Sequence, residues 1–109
     1  MKPARLRPLA EDDLVDAARY YAEEGGRALG EQMFEAALEA LSSIERMPAM
    51  GSPRLGQLCD VPGLRSWRVT NFSLQWFYFE MDEHLDGVRL LSDRRDIAAL
   101  LKMKDKSDG

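Results

Sequence analysis

The chain has 109 residues, of which 45% are hydrophobic and 31% charged, and its formal net charge is −4. We expect residues 1–101 to form one domain and residues 102–109 to form a flexible charged tail. No apolar run is long enough to span a membrane, and the N-terminus lacks a secretory signal, so we expect a cytoplasmic protein without membrane contacts. The single cysteine, Cys59, excludes an internal disulfide.

The charges are segregated along the chain. Residues 1–8 carry three basic and no acidic side chains, whereas residues 9–50 carry three basic and ten acidic ones. An acidic middle argues against nucleic-acid binding by that part of the chain. It suits a cationic protein partner, or serves only to keep the protein soluble.

The first half of the sequence predicts a short strand followed by two helices. Alternation over residues 4–7 indicates the strand, with Leu6 facing a core. Pro8 begins a helix with acidic residues in its first turn, and Gly25-Gly26 ends it. A second helix covers residues 27–47, and the short link predicts an antiparallel helical hairpin. The two apolar stripes are Leu14, Ala17, Ala18, Tyr21 and Ala22, and Met33, Phe34, Ala37, Leu38, Leu41 and Ile44.

The second half predicts a β-meander. Prolines and glycines make residues 49–62 irregular, and strands follow at about residues 64–69, 72–81 and 88–91. Asp86-Gly87 belongs to the hairpin loop at 82–87, and residues 96–101 have helical spacing. We therefore predict an α+β, two-layer domain in which an N-terminal strand and a helical hairpin pack on an antiparallel sheet, with a short C-terminal helix.

Two arginines, Arg94 and Arg95, lie between the last strand and the last helix. Their planar guanidinium groups fit carboxylates and phosphates, so the junction is a candidate binding site. The alternative is an Arg–Asp cap that only fixes the last helix. A second candidate site is formed by the aromatic residues of the predicted strands, which could stack on the bases of single-stranded RNA. Their spacing along the strands instead favours packing in the core. These residues are Trp67, Phe72, Trp76, Phe77 and Phe79.

Four stretches in this order resemble the RelE/ParE superfamily of bacterial toxins: residues 8–14, 48–56, 63–69 and 90–97. The last, with its strand, polar turn and Arg95-Asp96-Ile97, looks like the ending of the ParE branch. The resemblance implies a toxin neutralised by an antitoxin encoded beside it. In the ParE branch the implied target is DNA gyrase, blocked by binding without chemistry by the toxin. In the RelE branch the implied activity is cleavage of messenger RNA on the ribosome.

The chemistry of RNA cleavage favours the ParE branch. Metal-free cleavage needs a general base, cations and a general acid. The resemblance to the RelE branch implies lysines and arginines on the central sheet and a tyrosine or histidine near the last helix. Here Arg65 and Arg68 supply cations, but the second strand has no lysine and the last helix contains neither tyrosine nor histidine. We expect His84 in a solvated loop and Tyr78 to be buried, so we predict no catalytic residue, no metal and no cofactor. A ribonuclease that uses Arg65, Arg68 and Arg95 stays open, as does an inactive module that only binds its antitoxin.

Two surfaces are predicted on this basis. Arginine and tryptophan dominate interface energetics, so the gyrase-binding residues are predicted to be Arg65, Trp67, Arg68, Arg94 and Arg95. An amphipathic segment of a ParD-like antitoxin is expected to cover the helical hairpin and a sheet edge in a hetero-oligomer. Its predicted contacts are Arg5, Arg7, Leu14, Tyr21, Met33 and Phe34, although we expect Met33 and Phe34 to be mainly core residues. No sequence-specific DNA binding by the toxin alone is expected.

Overall fold

The structure is a computed structural model that describes residues 1–93 and 97–101. Arg94, Arg95 and the predicted tail at 102–109 therefore lie outside the described residues. Among the described helices, none has the length and apolar character needed to cross a membrane. In chain order the elements are β1 (Ala4–Leu6), α1 (Pro8–Gly25), α2 (Arg27–Arg46), a 3-10 helix (Pro48–Met50), α3 (Arg54–Leu58), β2 (Leu64–Arg68), β3 (Leu74–Glu80), β4 (Leu85–Ser92) and α4 (Ile97–Leu101).

The four strands form one sheet in the order β1-β4-β3-β2. Strands β2, β3 and β4 make the predicted antiparallel meander. Strand β1, however, runs parallel to β4, with Ala4 opposite Leu85 and Leu6 opposite Gly87, so the sheet is mixed and not wholly antiparallel. Because β1 connects to the rest of the sheet through two long helices and not through a tight turn, it can run in either direction beside β4. The predicted α+β class is confirmed.

The helical hairpin packs on one face of the sheet. Its buried residues include Leu14 of α1 and Met33 and Ile44 of α2, which join Trp76 and Tyr78 of β3 in the larger core cluster. The Trp76 indole N–H donates to the carbonyl oxygen of Ala37 at 2.9 Å, which fixes α2 on the sheet. The stripe on α2 is rotated from the predicted one, since Ala40 is buried while Phe34 and Leu38 are 38% and 41% exposed. Placing these last two side chains in the core was therefore wrong.

The opposite face of the sheet is also covered, so a two-layer description is incomplete. Leu64, Phe77, Val88 and Leu91 form a second core cluster on that face. Apolar side chains of α3 and α4 pack against it: Leu55, Ile97, Leu100 and Leu101. Helix α3 lies in the stretch predicted to be irregular, and its position completes the burial of the central strand on both faces.

One buried ion pair ties α1 and α4 to β4. Arg89 of β4 donates through Nε and Nη2 to the Asp13 carboxylate of α1, at 2.7 and 2.9 Å. The Leu90 backbone N–H donates to the same carboxylate at 3.0 Å, and Arg89 Nη1 donates to the Leu100 carbonyl oxygen at 3.2 Å. This pair fixes the beginning of α1 beside the second half of β4, beyond the residues that pair with β1.

Candidate protein-binding surfaces

The predicted gyrase-binding residues on β2 lie on opposite faces of the sheet. Arg65 and Trp67 are paired with Tyr78 and Trp76, whose side chains belong to the hairpin-side core. Arg68 follows one position later, so strand alternation places it on the other face. Arg65 and Trp67 are partly buried and Arg68 is exposed. The structure therefore brings Arg65 and Trp67 together and separates them from Arg68.

Arg68 belongs to a polar cluster at the end of three strands, which we call the sheet-end cluster. Its Nη2 donates to Asp93 Oδ2 at 2.6 Å, and the Gln75 side chain donates to Asp93 Oδ1 at 2.8 Å. The hydrogen bond from Arg68 holds the pKa of Asp93 below its ordinary value, and the Asp93 carboxylate raises the pKa of Arg68. Asp93, the acidic residue of the sheet-end cluster, directly precedes Arg94 and Arg95 in the sequence.

Arg65 serves a structural role on the hairpin side of β2. Its Nη1 donates to the carbonyl oxygen of Gly51 at 2.7 Å. The Gly51 N–H donates to the Tyr78 hydroxyl at 3.0 Å, and that hydroxyl donates to the Pro48 carbonyl oxygen at 2.6 Å. Burial raises the pKa of Tyr78. The Tyr78 hydroxyl thus joins the 48–51 turn to the sheet, as expected for a buried tyrosine whose polar group is satisfied.

The outer face of the helical hairpin carries a groove of about 420 Å³, which we call the hairpin groove. Gly30 allows close helix packing there, since a Cβ atom on it would lie 2.8 Å from the Ala18 carbonyl oxygen. Phe34 lines the groove, and both charge signs flank it. Val15, 51% exposed, and Leu38 extend the apolar face by helical spacing from Ala18 and Phe34.

The other residues predicted to contact the antitoxin have different surroundings. Leu14 is 7% exposed and Met33 is fully buried, so both lie in the core and offer a partner little or no surface. Arg5 is exposed on β1, while Arg7 makes a two-bond ion pair with Asp86 at 3.0 and 2.7 Å. Tyr21 is partly buried and packs edge-to-face on Phe72 with ring centroids 5.0 Å apart.

Sequence reasoning missed one exposed apolar residue beside the hairpin groove and one buried ion pair. Val15 stands one position from the predicted stripe of α1, and an apolar residue off the stripe of an amphipathic helix is the signal that could have identified it. Arg89 stands among the aliphatic residues of β4, and a charge within an apolar strand indicates a buried partner. Nothing local, however, identifies that partner as Asp13.

The fold is shared with a solved toxin–antitoxin structure. The chain superposes on one described as the chromosomal ParDE TA system from P. aeruginosa with a TM-score of 0.72. The two are 15% identical, and the match covers 84% of this chain and 96% of that chain, so the likeness concerns the fold alone. A comparison with curated protein sequences gives no match.

Residues 4–97 match the family model described as the ParE toxin of type II toxin-antitoxin system, parDE. The chain is therefore a toxin component of a type II toxin–antitoxin system, and within that class it belongs to the ParE toxin family. Toxins of this family are not classical enzymes. Membership in a ParDE system implies a ParD-type antitoxin as partner.

Proposed function

We propose that this ParE toxin stops bacterial replication by binding DNA gyrase, and that a ParD-like antitoxin neutralises it. Family membership over residues 4–97 is the observation that carries the proposal. The surroundings of the candidate catalytic groups favour binding over RNA cleavage. The Tyr78 hydroxyl is committed to two backbone hydrogen bonds, and the Arg65 guanidinium is bonded to the Gly51 carbonyl oxygen.

The proposed gyrase-binding surface is the end of the sheet that holds Arg68. This side chain is 61% exposed, and its partner Asp93 leads into Arg94 and Arg95, which we include in the surface on their sequence position. Arg65 and Trp67 are partly buried on the other face of the sheet, so we expect them to stabilise β2 and not to contact gyrase directly. An exposed arginine held by a carboxylate is ordered before binding, which lowers the entropic cost of forming an interface.

A supercoiling assay with purified gyrase tests this proposal. The wild-type toxin is expected to inhibit supercoiling at micromolar concentration, and Arg68→Ala is expected to weaken that inhibition. Arg46→Ala serves as the control and should inhibit normally, because it removes one exposed arginine at the end of α2, beside the beginning of β1. Full supercoiling in the presence of micromolar wild-type toxin would disprove gyrase as the target, and discrete cuts in translated messages by primer extension would identify a ribosome-dependent ribonuclease instead.

The hairpin groove is the proposed seat of an amphipathic antitoxin helix. Phe34, Leu38 and Val15 offer apolar surface there, and such a face on a small domain fits the apolar side of a partner helix. Phe34→Asp is expected to abolish co-purification with the antitoxin, because it places a charge in the apolar contact. Met81→Asp is the matched control, since Met81 is 45% exposed in the β3–β4 loop, away from the groove.

A further inference from the structure

A larger groove of about 890 Å³ lies between α1 and the second half of β4, and we call it the α1 groove. Three buried leucines form its floor: Leu74, Leu90 and Leu91. Three exposed acidic side chains of α1, which we call the rim carboxylates, also line it: Asp12, Asp16 and Glu24. The rim carboxylates follow one another at intervals of four and eight residues, so they are separated by about 6 and 12 Å along the helix axis.

The α1 groove carries a net negative charge. Its described lining residues include four carboxylates and one guanidinium group, and that guanidinium belongs to Arg89, which is paired with Asp13. Asp16 has a contact of 3.8 Å with Arg19, but both side chains are mostly exposed and such a pair is weak. A cleft lined by one sign of charge over low-dielectric walls concentrates the field, so the groove favours a cationic occupant that also has apolar surface.

Helix α4 brings the last part of the described chain to this groove. The Leu100 carbonyl oxygen accepts a hydrogen bond from Arg89 Nη1 at 3.2 Å, and Arg89 lines the groove beside Asp13. Helix α4 ends one residue later, at Leu101. Residues 102–106, which lie outside the described residues and which we call the basic segment, contain three of the four lysines in the sequence. A cationic segment is therefore attached to the chain next to an anionic groove.

The spacing of the lysines matches that of the rim carboxylates. The lysines stand at every second position of the basic segment. In an extended segment, residues two positions apart are separated by about 6.6 Å and their side chains point to the same side. Asp12 and Asp16 are separated by about 6 Å along the axis of α1. Two successive lysines can therefore face Asp12 and Asp16, and the third then comes between Asp16 and Glu24.

We propose that the basic segment of the toxin's own chain lies in the α1 groove, with its lysines along the rim carboxylates and Met103 on the apolar floor. Because the segment is attached to α4, its effective concentration at the groove is on the order of millimolar, so a few weak ion pairs suffice to hold it. This contact closes the α1 groove in the free toxin, and any partner that enters the groove must displace the segment. The proposal replaces the expectation of a free tail over residues 102–106, and it depends on neither the target nor the antitoxin.

Zero-length cross-linking of the full-length toxin alone tests the proposal. A carbodiimide joins a lysine amine to a carboxylate only where the two groups are in contact, and the four lysines of the sequence allow each product to be assigned by mass spectrometry. The Lys2–Glu80 ion pair, at 2.9 Å, is the internal positive control. The lysines of the basic segment are expected to couple to the rim carboxylates and not to Glu35 and Glu39, which are exposed on α2.

An exchange of charges shows whether electrostatic attraction holds the basic segment. The reporter is the yield of the Lys104–Asp16 product relative to the Lys2–Glu80 product, because these four residues stay unchanged. Asp12→Lys/Glu24→Lys and Lys102→Glu/Lys106→Glu are each expected to lower this yield about threefold or more, since attractions become repulsions. All four substitutions together should restore it to within about twofold of wild type, because the charges are then complementary again.

The matched control is Glu35→Lys/Glu39→Lys, which changes the net charge as much as Asp12→Lys/Glu24→Lys does. It should leave the yield of the Lys104–Asp16 product within about twofold of wild type, since only screened long-range attraction changes. Circular dichroism establishes that each variant is folded.

Three results would overturn the proposal. One is the absence of products at the rim carboxylates in a sample in which Lys2–Glu80 couples, and another is an equal yield at Glu35 and Glu39. The third comes from a mixture of unlabelled toxin and toxin labelled with nitrogen-15: products that join a labelled to an unlabelled chain would place the basic segment in the groove of a second copy. Failure of the four substitutions to restore the yield would contradict the match of charges on which the proposal depends.

Discussion

Arg89 and Asp13 form a buried ion pair in which two nitrogens of one guanidinium face both oxygens of one carboxylate. Both side chains are largely withdrawn from water, with 8% and 15% exposure. Each partner compensates the desolvation of the other, so the loss of one leaves an uncompensated buried charge. The pair also holds the Leu90 N–H and the Leu100 carbonyl oxygen, which links three elements through one contact.

Removal of one partner should therefore be costly. Asp13→Ala is expected to lower the free energy of unfolding by about 3–5 kcal/mol, measured by urea denaturation. Asp12→Ala, the exposed neighbour on the same helix, should change it by less than about 0.5 kcal/mol. Asp13→Leu/Arg89→Met should recover most of the loss, because apolar groups replace both charges. A double variant as unstable as Asp13→Ala would show that the bonds to the backbone matter more than the pairing of charges.

The sheet-end cluster predicts a pH-dependent contribution to stability. Since the pKa of Asp93 is lowered in the folded state, its contribution is fully present above the ordinary value of 3.8 and is lost as pH falls through the lower folded value. Asp93→Asn should reduce the free energy of unfolding by at most about 1 kcal/mol near neutral pH, because Arg68 is exposed. The difference should vanish in acid.

Urea denaturation of wild type and Asp93→Asn across the acidic range measures this effect. Asp82→Asn, in an exposed loop, controls for the loss of one negative charge. A difference between wild type and Asp93→Asn that stays constant down to the lowest pH at which both fold would refute the assignment to the carboxylate.

Removal of the Tyr78 hydroxyl is expected to lower the free energy of unfolding measurably. Tyr78→Phe leaves the Gly51 N–H and the Pro48 carbonyl oxygen without their partner in a buried position. The expected loss in the free energy of unfolding is about 1–3 kcal/mol. Tyr20→Phe removes an exposed hydroxyl and should be nearly neutral. Equal stabilities for the two variants would mean that solvent replaces the Tyr78 hydroxyl at the 48–51 turn.

Because α1 and α2 pack closely at Gly30, replacement of this glycine by alanine is expected to destabilise the protein, although the same replacement usually stabilises a helix. Within a helix, Gly→Ala ordinarily stabilises by about 0.5–1 kcal/mol. At Gly30 the added Cβ would approach the Ala18 carbonyl oxygen to 2.8 Å and the Ala22 Cβ to 2.9 Å, so the two helices must separate. Gly30→Ala should therefore lower the midpoint of thermal unfolding. A raised midpoint of thermal unfolding would show that the two helices can accommodate the added methyl group without loss of stability.

The helices and the meander could be predicted from the sequence because each depends on local spacing. Helix α1 ends at Gly25, and the predicted strands fall close to β2, β3 and β4. Helix α3 could not be predicted in this way, because it has only five residues with Gly56 in its middle. Such a short helix depends on tertiary packing, here against Leu64.

The beginning of β4 shows how a long-range contact overrides local turn chemistry. Asp86-Gly87 has the composition of a hairpin turn, yet both residues belong to the strand and pair with Arg5 and Leu6. A Cβ on Gly87 would lie 2.5 Å from the Leu6 side chain, so the glycine permits the close approach of β1. The ion pair of Arg89 could not be predicted for the same reason, because its partner Asp13 lies on a different element far away in the sequence.

The parallel pairing of β1 with β4 joins the first residues of the fold to some of the last. Such distant contacts slow folding, because a long loop must close before they form. During synthesis, β1 and the helical hairpin are therefore made well before the strand that pairs with β1, and the four-stranded sheet can be completed only once β4 has been made.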